Sequence, residues 1–320
     1  NYKYLILLHY IKYMDFLKYE KKYWDVGFSY VVGIDEAGRG PLAGPVVAAS
    51  VVLKPYQIIE GIKDSKKLTP KKRDILYSKI YKKAVSIGVG IVNEDVIDDI
   101  NILKATFLAM KKSLGNLDIK PEKVLIDGPY SDITIYPTDY IINGDNISQT
   151  IAAASIIAKV TRDNIMKEYD KIFPEYKFIN HKGYGTKYHI EKLNIIKCSP
   201  IHRRSFKIVK NNMPTYDFYH NKKNGFKELA HQLVGVRYIK NNFIIKDINI
   251  RVNSIVINYC LIDDKKNYKF IKILDSKSND VKKNDIDISL DSYINENKII
   301  NNYSIDVISV RFIKGKKPII

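Results

Sequence analysis

Cysteine is nearly missing from this 320-residue chain: Cys198 and Cys260 are the two present, and neither belongs to a CxxC pair or a histidine-rich neighbourhood. That excludes a disulfide framework and a cysteine-based zinc site, argues against any disulfide-linked partner, and fits a reducing cytoplasm. Long apolar runs are lacking too. The segment YLILLHYIKY is too short to span a bilayer and has no small-residue cleavage site, so neither a membrane partner nor a signal peptide is expected. Acids are outnumbered, 35 against 53 lysines and arginines, which leaves a formal net charge of +18. Such an excess favours a polyanionic partner, nucleic acid before an acidic membrane surface. Lysine is frequent throughout, so charge supports a class of partner without identifying a function. What is present suffices for a core: 45% of residues are hydrophobic, which is not a disordered composition, and the length favours two domains.

The chain is organised around Val31 to Pro45, VVGIDEAGRGPLAGP. Its β-branched start reads as a strand that ends on two adjacent acids, Asp35 and Glu36. Gly38, Arg39 and Gly40 follow as a bare-backboned turn, stiffened at its exit by Pro41 and Pro45. Side chains alternate along a strand, so Asp35 and Glu36 share a cation only if the strand breaks into the turn there, and that break is expected. A Rossmann phosphate loop is excluded, because its first glycine would fall on the acids and no third glycine opens a helix.

Downstream, VVAASVVL at 46–53 reads as a strand pairing with the first. Thr69 and Pro70 start a helix after a polar loop in which Ser65, Lys66 and Lys67 could hold phosphates as point charges. A strand over 84–92 and helical pieces over 95–114 supply core positions. PEKVLIDGPY ends on Asp127, at the carboxyl end of a strand where α/β folds place their sites. Residues 144–166 read as a long helix capped near Asn146 or Ser148, and Asp163 near its end opposes the helix dipole unless a cation compensates. Tyr184, between glycines in HKGYGTKYH, is a candidate for stacking on a nucleotide. Arg203 and Arg204 in IHRRSF join the substrate-binding candidates.

The segment IDEAGRGPLAGPVVAA resembles the signature of bacterial ribonuclease HII, and its Gly-Arg-Gly loop separates it from ribonuclease HIII. The resemblance covers residues 14–210. It implies a ribonuclease-H-like mixed sheet flanked by helices, and it maps the family's four catalytic carboxylates onto Asp35, Glu36, Asp127 and Asp163. It also maps ribose recognition onto Gly38, Arg39, Gly40 and Tyr184, and its DSKKL loop onto Ser65, Lys66 and Lys67. The implied activity is endonucleolytic hydrolysis of RNA in RNA–DNA hybrids and at single ribonucleotides embedded in DNA, leaving 5′-phosphate and 3′-hydroxyl ends. Two divalent ions roughly 4 Å apart serve such chemistry, and Mn2+ or Mg2+ suits all-carboxylate ligation. A monomer is expected. The competing readings are a binding protein that kept the fold without turnover, and a resolvase that cuts branched DNA. Two departures from the family, Asn143 before Gly144-Asp145 and Lys197-Cys198 before Ser199, bear on substrate affinity rather than chemistry.

Residues 1–13 read as an N-terminal extension, with Met14 resembling the family's usual start, and 211–224 as an aperiodic linker. Residues 225–320 read as a helix followed by strands near 243–250, 254–262, 268–274 and 304–313, a second small α/β unit. GFKELA, YIKNNFIIKDINIR and SIDVISVRF are similar to the YraN-like family, which implies a restriction-endonuclease-like fold. Val256, Asn258, Lys272 and Leu274 stand where that family carries its metal-site residues, so a non-catalytic domain is implied.

Overall fold

The computed structural model describes residues 16–62, 68–129, 136–252, 255–274, 283–299 and 302–320. The expected extension at 1–13 and the candidates Ser65, Lys66 and Lys67 lie outside them. By contacts the chain divides into two compact units. The first comprises Asn1–Asn164, Lys182–Tyr184 and Arg203–Phe206, and the second comprises Ile165–His181, Gly185–His202 and Lys207–Ile320. No helix among the described residues is long and apolar enough to cross a membrane.

The first unit is built on a five-stranded mixed sheet of order β3-β2-β1-β4-β5. Its strands are β1 (Val31–Ala37), β2 (Val46–Val52), β3 (Ser86–Val92), β4 (Lys123–Asp127) and β5 (Thr138–Ile141). β1 runs antiparallel to β2 and parallel to β4, so the central strand is flanked by both kinds of neighbour. The helices are α1 (Lys18–Trp24), α2 (Pro70–Lys83), α3 (Glu94–Ile100), α4 (Ile102–Gly115) and the start of α5 (Gln149–Ile172). Thr69 caps α2 and Pro70 occupies its first turn, as its sequence predicts. One sheet face packs Val32, Ile34, Val46 and Ala48 on Ala105, Ala109 and Met110 of α4. Its opposite face is covered by α1 and the first turn of α5 through Leu17, Trp24, Val31, Leu125 and Ile151. Contact there is close: a Cβ on Gly33 would sit 2.2 Å from the Thr150 carbonyl carbon, so only glycine lets α5 rest on β1.

A distant carboxylate seats the start of α5. Ser148 Oγ accepts from Ile151 N–H as the helix cap, and its own hydroxyl donates to Glu20 Oε1 at 2.6 Å. The Thr150 amide and hydroxyl donate to the same oxygen at 2.8 Å. Glu20 is fully buried, and burial pushes its carboxyl above the usual range. Glu20→Ala should therefore cost about 1–3 kcal/mol in urea unfolding by orphaning buried donors, and Glu20→Gln should recover part of that loss.

The second unit contains a four-stranded sheet of order β6-β7-β8-β9. Helix α6 (Lys187–Ile196) precedes it, and α7 (Gly225–Lys240) leads into β6 (Ile244–Val252), β7 (Ile255–Ile262) and β8 (Tyr268–Leu274). Helix α8 (Lys283–Glu296) then crosses to β9 (Tyr303–Ser309), which pairs parallel to β8 and so requires a crossover. Ile286 and Leu290 of α8 pack on Ile257, Phe270 and Ile305. The end of α5 belongs with this unit, since Glu168 accepts from Ile245 N–H and Lys171 donates to its carbonyl. Within the expected linker, Tyr216–Asn221 forms a helix capped by Thr215.

Candidate metal centre and substrate loop

Three carboxylates converge at the carboxyl ends of β1 and β4. The register of these parallel strands pairs Ile34 with Ile126, so Asp35 and Asp127 follow side by side. Alternation puts Asp35 on the Gly33 face, toward α5. The third acid is Asp145, carried by the single 3-10 turn Gly144–Asn146. Gly144 N–H donates to Asp127 Oδ1 at 2.6 Å, so one acid fixes the turn that presents another. A carboxylate oxygen from each of the three lies within 4.8 Å of the others.

Asp35 and Asp145 are buried, Asp127 partly so. Burial pushes the Asp35 carboxyl well above the ordinary carboxylate range, and the charges of Glu36 and Asp127 push it further against hydrogen bonds from Ser155 and the Glu36 amide. Three like charges in a poorly solvated corner call for a cation or for protons. The donor set is all hard oxygen, which fits Mn2+ or Mg2+. Because Asp35 holds its proton to unusually high pH, a cation must displace it. Mn2+ affinity should thus rise about tenfold per pH unit below the Asp35 pKa and level off above it. Calorimetry in two buffers of different ionisation enthalpy should register the released proton, and Asp35→Asn should remove it.

Two expectations about the acids need correction. The strand does not break after Asp35: its ladder runs on through Glu36 opposite Ala48 and Ala37 opposite Val47. Alternation therefore turns Glu36 to the other face, where it meets Arg39 at 3.3 Å. Asp163 is not among the converging acids. It lies eight residues beyond Ser155, about 12 Å of helix rise from the position that hydrogen-bonds Asp35. Helix α5 continues to Ile172, so Asp163 is mid-helix, and Lys159 neutralises it at 2.7 Å.

Sequence reasoning missed Asp145. Its signal was a second acid beside a glycine, Gly144-Asp145, after a strand that mirrors Asp127-Gly128. That strand, TDYI, is four residues long and half polar, too short for alternation to be recognised.

The glycine turn is held from beneath by two buried guanidiniums. Arg203 Nε donates to Gly44 O at 2.9 Å, Nη1 to Arg39 O at 2.9 Å, and Nη2 to Gly38 O at 2.6 Å and Pro45 O at 3.2 Å. Arg162 donates to the carbonyls of Pro45, Ala43 and Lys182 at 2.9, 3.0 and 3.0 Å. Burial pushes these guanidiniums down to about 10 for Arg162 and about 9 for Arg203, so both stay cationic at neutral pH, with Glu94 favouring the charge on each. Gly38 is required beside them: its φ is +99°, and a Cβ would fall 2.1 Å from Arg162 Nε. Arg203, expected to bind substrate, is instead 0% exposed and spent on backbone carbonyls. Arg39, Gly40, Tyr184 and Arg204 are exposed. Tyr184 stands over Gly40, its ring 3.7 Å from where a Cβ would be. His202, next to Arg203 in sequence, is buried and neutral: its Nδ1 accepts from the Ser199 amide at 2.9 Å, and burial holds its pKa well down.

A profile of the ribonuclease HII family matches residues 32–209. The ribonuclease HII of Acholeplasma laidlawii is 51% identical over 193 residues, which span 60% of this chain and 95% of that relative. That of Clostridioides difficile is 52% identical over 191 residues, 59% of this chain and 74% of the relative. Among solved structures, ribonuclease H2 from Pyrococcus horikoshii superposes with a TM-score of 0.50 at 29% identity, covering 57% of this chain and 95% of that one. Bst-RNase HIII in complex with Mn2+ shares the fold at a TM-score of 0.50 and 18% identity, covering 57% and 69%. With the mixed sheet, the acids at its strand ends and the glycine turn beside them, these matches establish that the chain belongs to the ribonuclease HII family, metal-dependent endonucleases that cleave RNA in RNA–DNA hybrids.

Proposed function

We propose that Asp35, Asp127 and Asp145 hold the catalytic cation and that Glu36, whose charge already bears on Asp35, is the fourth carboxylate, released from Arg39 when the cation binds. The observation that carries this reading is the approach of three carboxylate oxygens to within 4.8 Å of one another beside the glycine turn. Asp35 surrenders its proton on loading, and the Gly144 amide keeps Asp127 oriented. The bare backbone of Gly38–Gly40 faces the ribose 2′-hydroxyl, the group that marks RNA, and Tyr184 stacks at the junction with DNA. Arg39, Arg204 and the Ser65, Lys66, Lys67 loop neutralise phosphates. A bound Mn2+ or Mg2+ supplies activation of the attacking water and stabilisation of the leaving 3′ oxygen.

Single ribonucleotides embedded in DNA are included in the substrate, and the protein acts as a monomer in the cytoplasm. The test is cleavage by the full chain with Mn2+ or Mg2+ of a duplex containing one ribonucleotide, beside all-DNA linear and branched duplexes. Cutting confined to the ribonucleotide is expected. Binding without cutting would favour the turnover-less reading, and cutting of branched DNA would favour a resolvase.

Residues 225–320, joined through 211–224, are proposed as a YraN-like, non-catalytic domain that adds nucleic-acid contact. Support comes from Lys272, whose ammonium is tied to Val256 O at 2.8 Å, and from Asn258, whose Oδ1 is occupied by the Ile273 amide. An ammonium there repels a cation. Full-length Asp35→Asn should show no metal-dependent cutting of any DNA; residual cutting would refute the inactive assignment.

A further inference from the structure

Arg162 lies between the two segments that would read the substrate, and it touches no part of the acid cluster described above. Its guanidinium is 1% exposed, and its fork reaches in two directions. Nε and Nη2 bind the Pro45 and Ala43 carbonyls of the glycine loop, while Nη1 binds the carbonyl of Lys182. The next residue, Gly183, accepts from the Leu42 amide at 2.8 Å. Lys182–Gly183 is therefore pinned to the loop twice, and Tyr184 follows over Gly40. The four bonds of Arg203 go to Gly38, Arg39, Gly44 and Pro45, all within the loop, so it holds the loop's shape. Arg162 holds the spacing between the loop and Tyr184. Lysine could not replace it: an ammonium on a flexible stem lacks the rigid planar fork that reaches both segments at once.

We infer that Arg162 is a positioning residue for substrate discrimination, fixing the Tyr184 ring against the Gly38–Gly40 backbone so that ribose and neighbouring nucleotide are read as one surface. This rests on the roles proposed above for that turn and ring. Tyr184 is close enough to both guanidiniums to favour their charged forms, which is consistent with that packing.

The test is a double-mutant cycle with Arg162→Lys and Tyr184→Ala, read on the one-ribonucleotide duplex and on a uniform RNA–DNA hybrid. Losing a stacked ring's placement predicts a KM about tenfold higher on the one-ribonucleotide duplex in each single variant. A smaller change is expected in kcat, with Mn2+ affinity unaltered. The double variant should lose no more than either single one, because both remove the same placement. Independent, multiplying losses would overturn the inference, as would a uniform fall in kcat accompanied by weaker Mn2+ binding. Amide hydrogen exchange supplies a readout apart from activity. Arg162→Lys should raise exchange in 182–186 about tenfold relative to β1, and unchanged exchange there would overturn the inference too. A wild-type protein that leaves the ribonucleotide uncut while exchange responds as expected would instead defeat the functional reading alone.

Discussion

Asp145→Asn should lower cleavage of a one-ribonucleotide duplex by about three orders of magnitude or more, some 4 kcal/mol of barrier, while Asp163→Asn should stay within a few-fold of wild type. The contrast follows from geometry. Asp145 is buried with its oxygen inside the group formed with Asp35 and Asp127, so the amide removes a ligand and a charge where a cation must sit. Asp163 faces Lys159 on the same helix at 2.7 Å, and losing a partly exposed i,i+4 pair costs at most about 1 kcal/mol. Both variants should unfold cooperatively near the wild-type denaturant midpoint. Relief of like-charge crowding should make Asp145→Asn slightly more stable without metal. The reverse ranking of activities would return the fourth ligand to Asp163.

The second large effect is on stability. Arg203→Met should cost about 3–5 kcal/mol in urea unfolding, because it strips a fully buried guanidinium from the carbonyls of Gly38, Arg39, Gly44 and Pro45 and leaves Glu94 less compensated. Duplex affinity of the folded fraction should keep its salt dependence. A phosphate contact would behave oppositely: stability would hold and the slope of log affinity against log salt would fall by about one. Arg204→Met provides that comparison, since Arg204 is exposed and only its backbone amide is engaged, by Asp98 at 2.9 Å.

Why Arg203 and Arg204 part company could not be seen in the string IHRRSF. Adjacent cations look alike until the fold turns one beneath the loop. Local signals fared better where the chemistry is local. The valine-rich start of β1, the Thr69-Pro70 helix start, the Ser148 cap and an acid ending β4 are all decided within a few residues, and all appear in the structure. The same holds for the second sheet, whose apolar runs mark β6 to β8. Failures came where tertiary contact overrides local preference. β5 owes its pairing to β4 rather than to its own Thr-Asp-Tyr-Ile composition. α8, rich in Asp, Asn and Ser, is a poor helix former that forms by burying Ile286 and Leu290 on the second sheet. Glu20, an ordinary charge in a lysine-rich helix by sequence, becomes the acceptor at the start of a helix 130 residues away.

The fourth acid shows the same limit most sharply. Along the chain, Asp163 and Asp145 are equally remote from Asp35. What separates them is a two-strand register and one glycine amide bound to Asp127. Crystals grown with Mn2+, measured at the manganese edge, put the question directly: the anomalous peak should lie among the carboxylates of Asp35, Asp127 and Asp145. A peak at Asp163, or none beside Asp145, would contradict this account of the site.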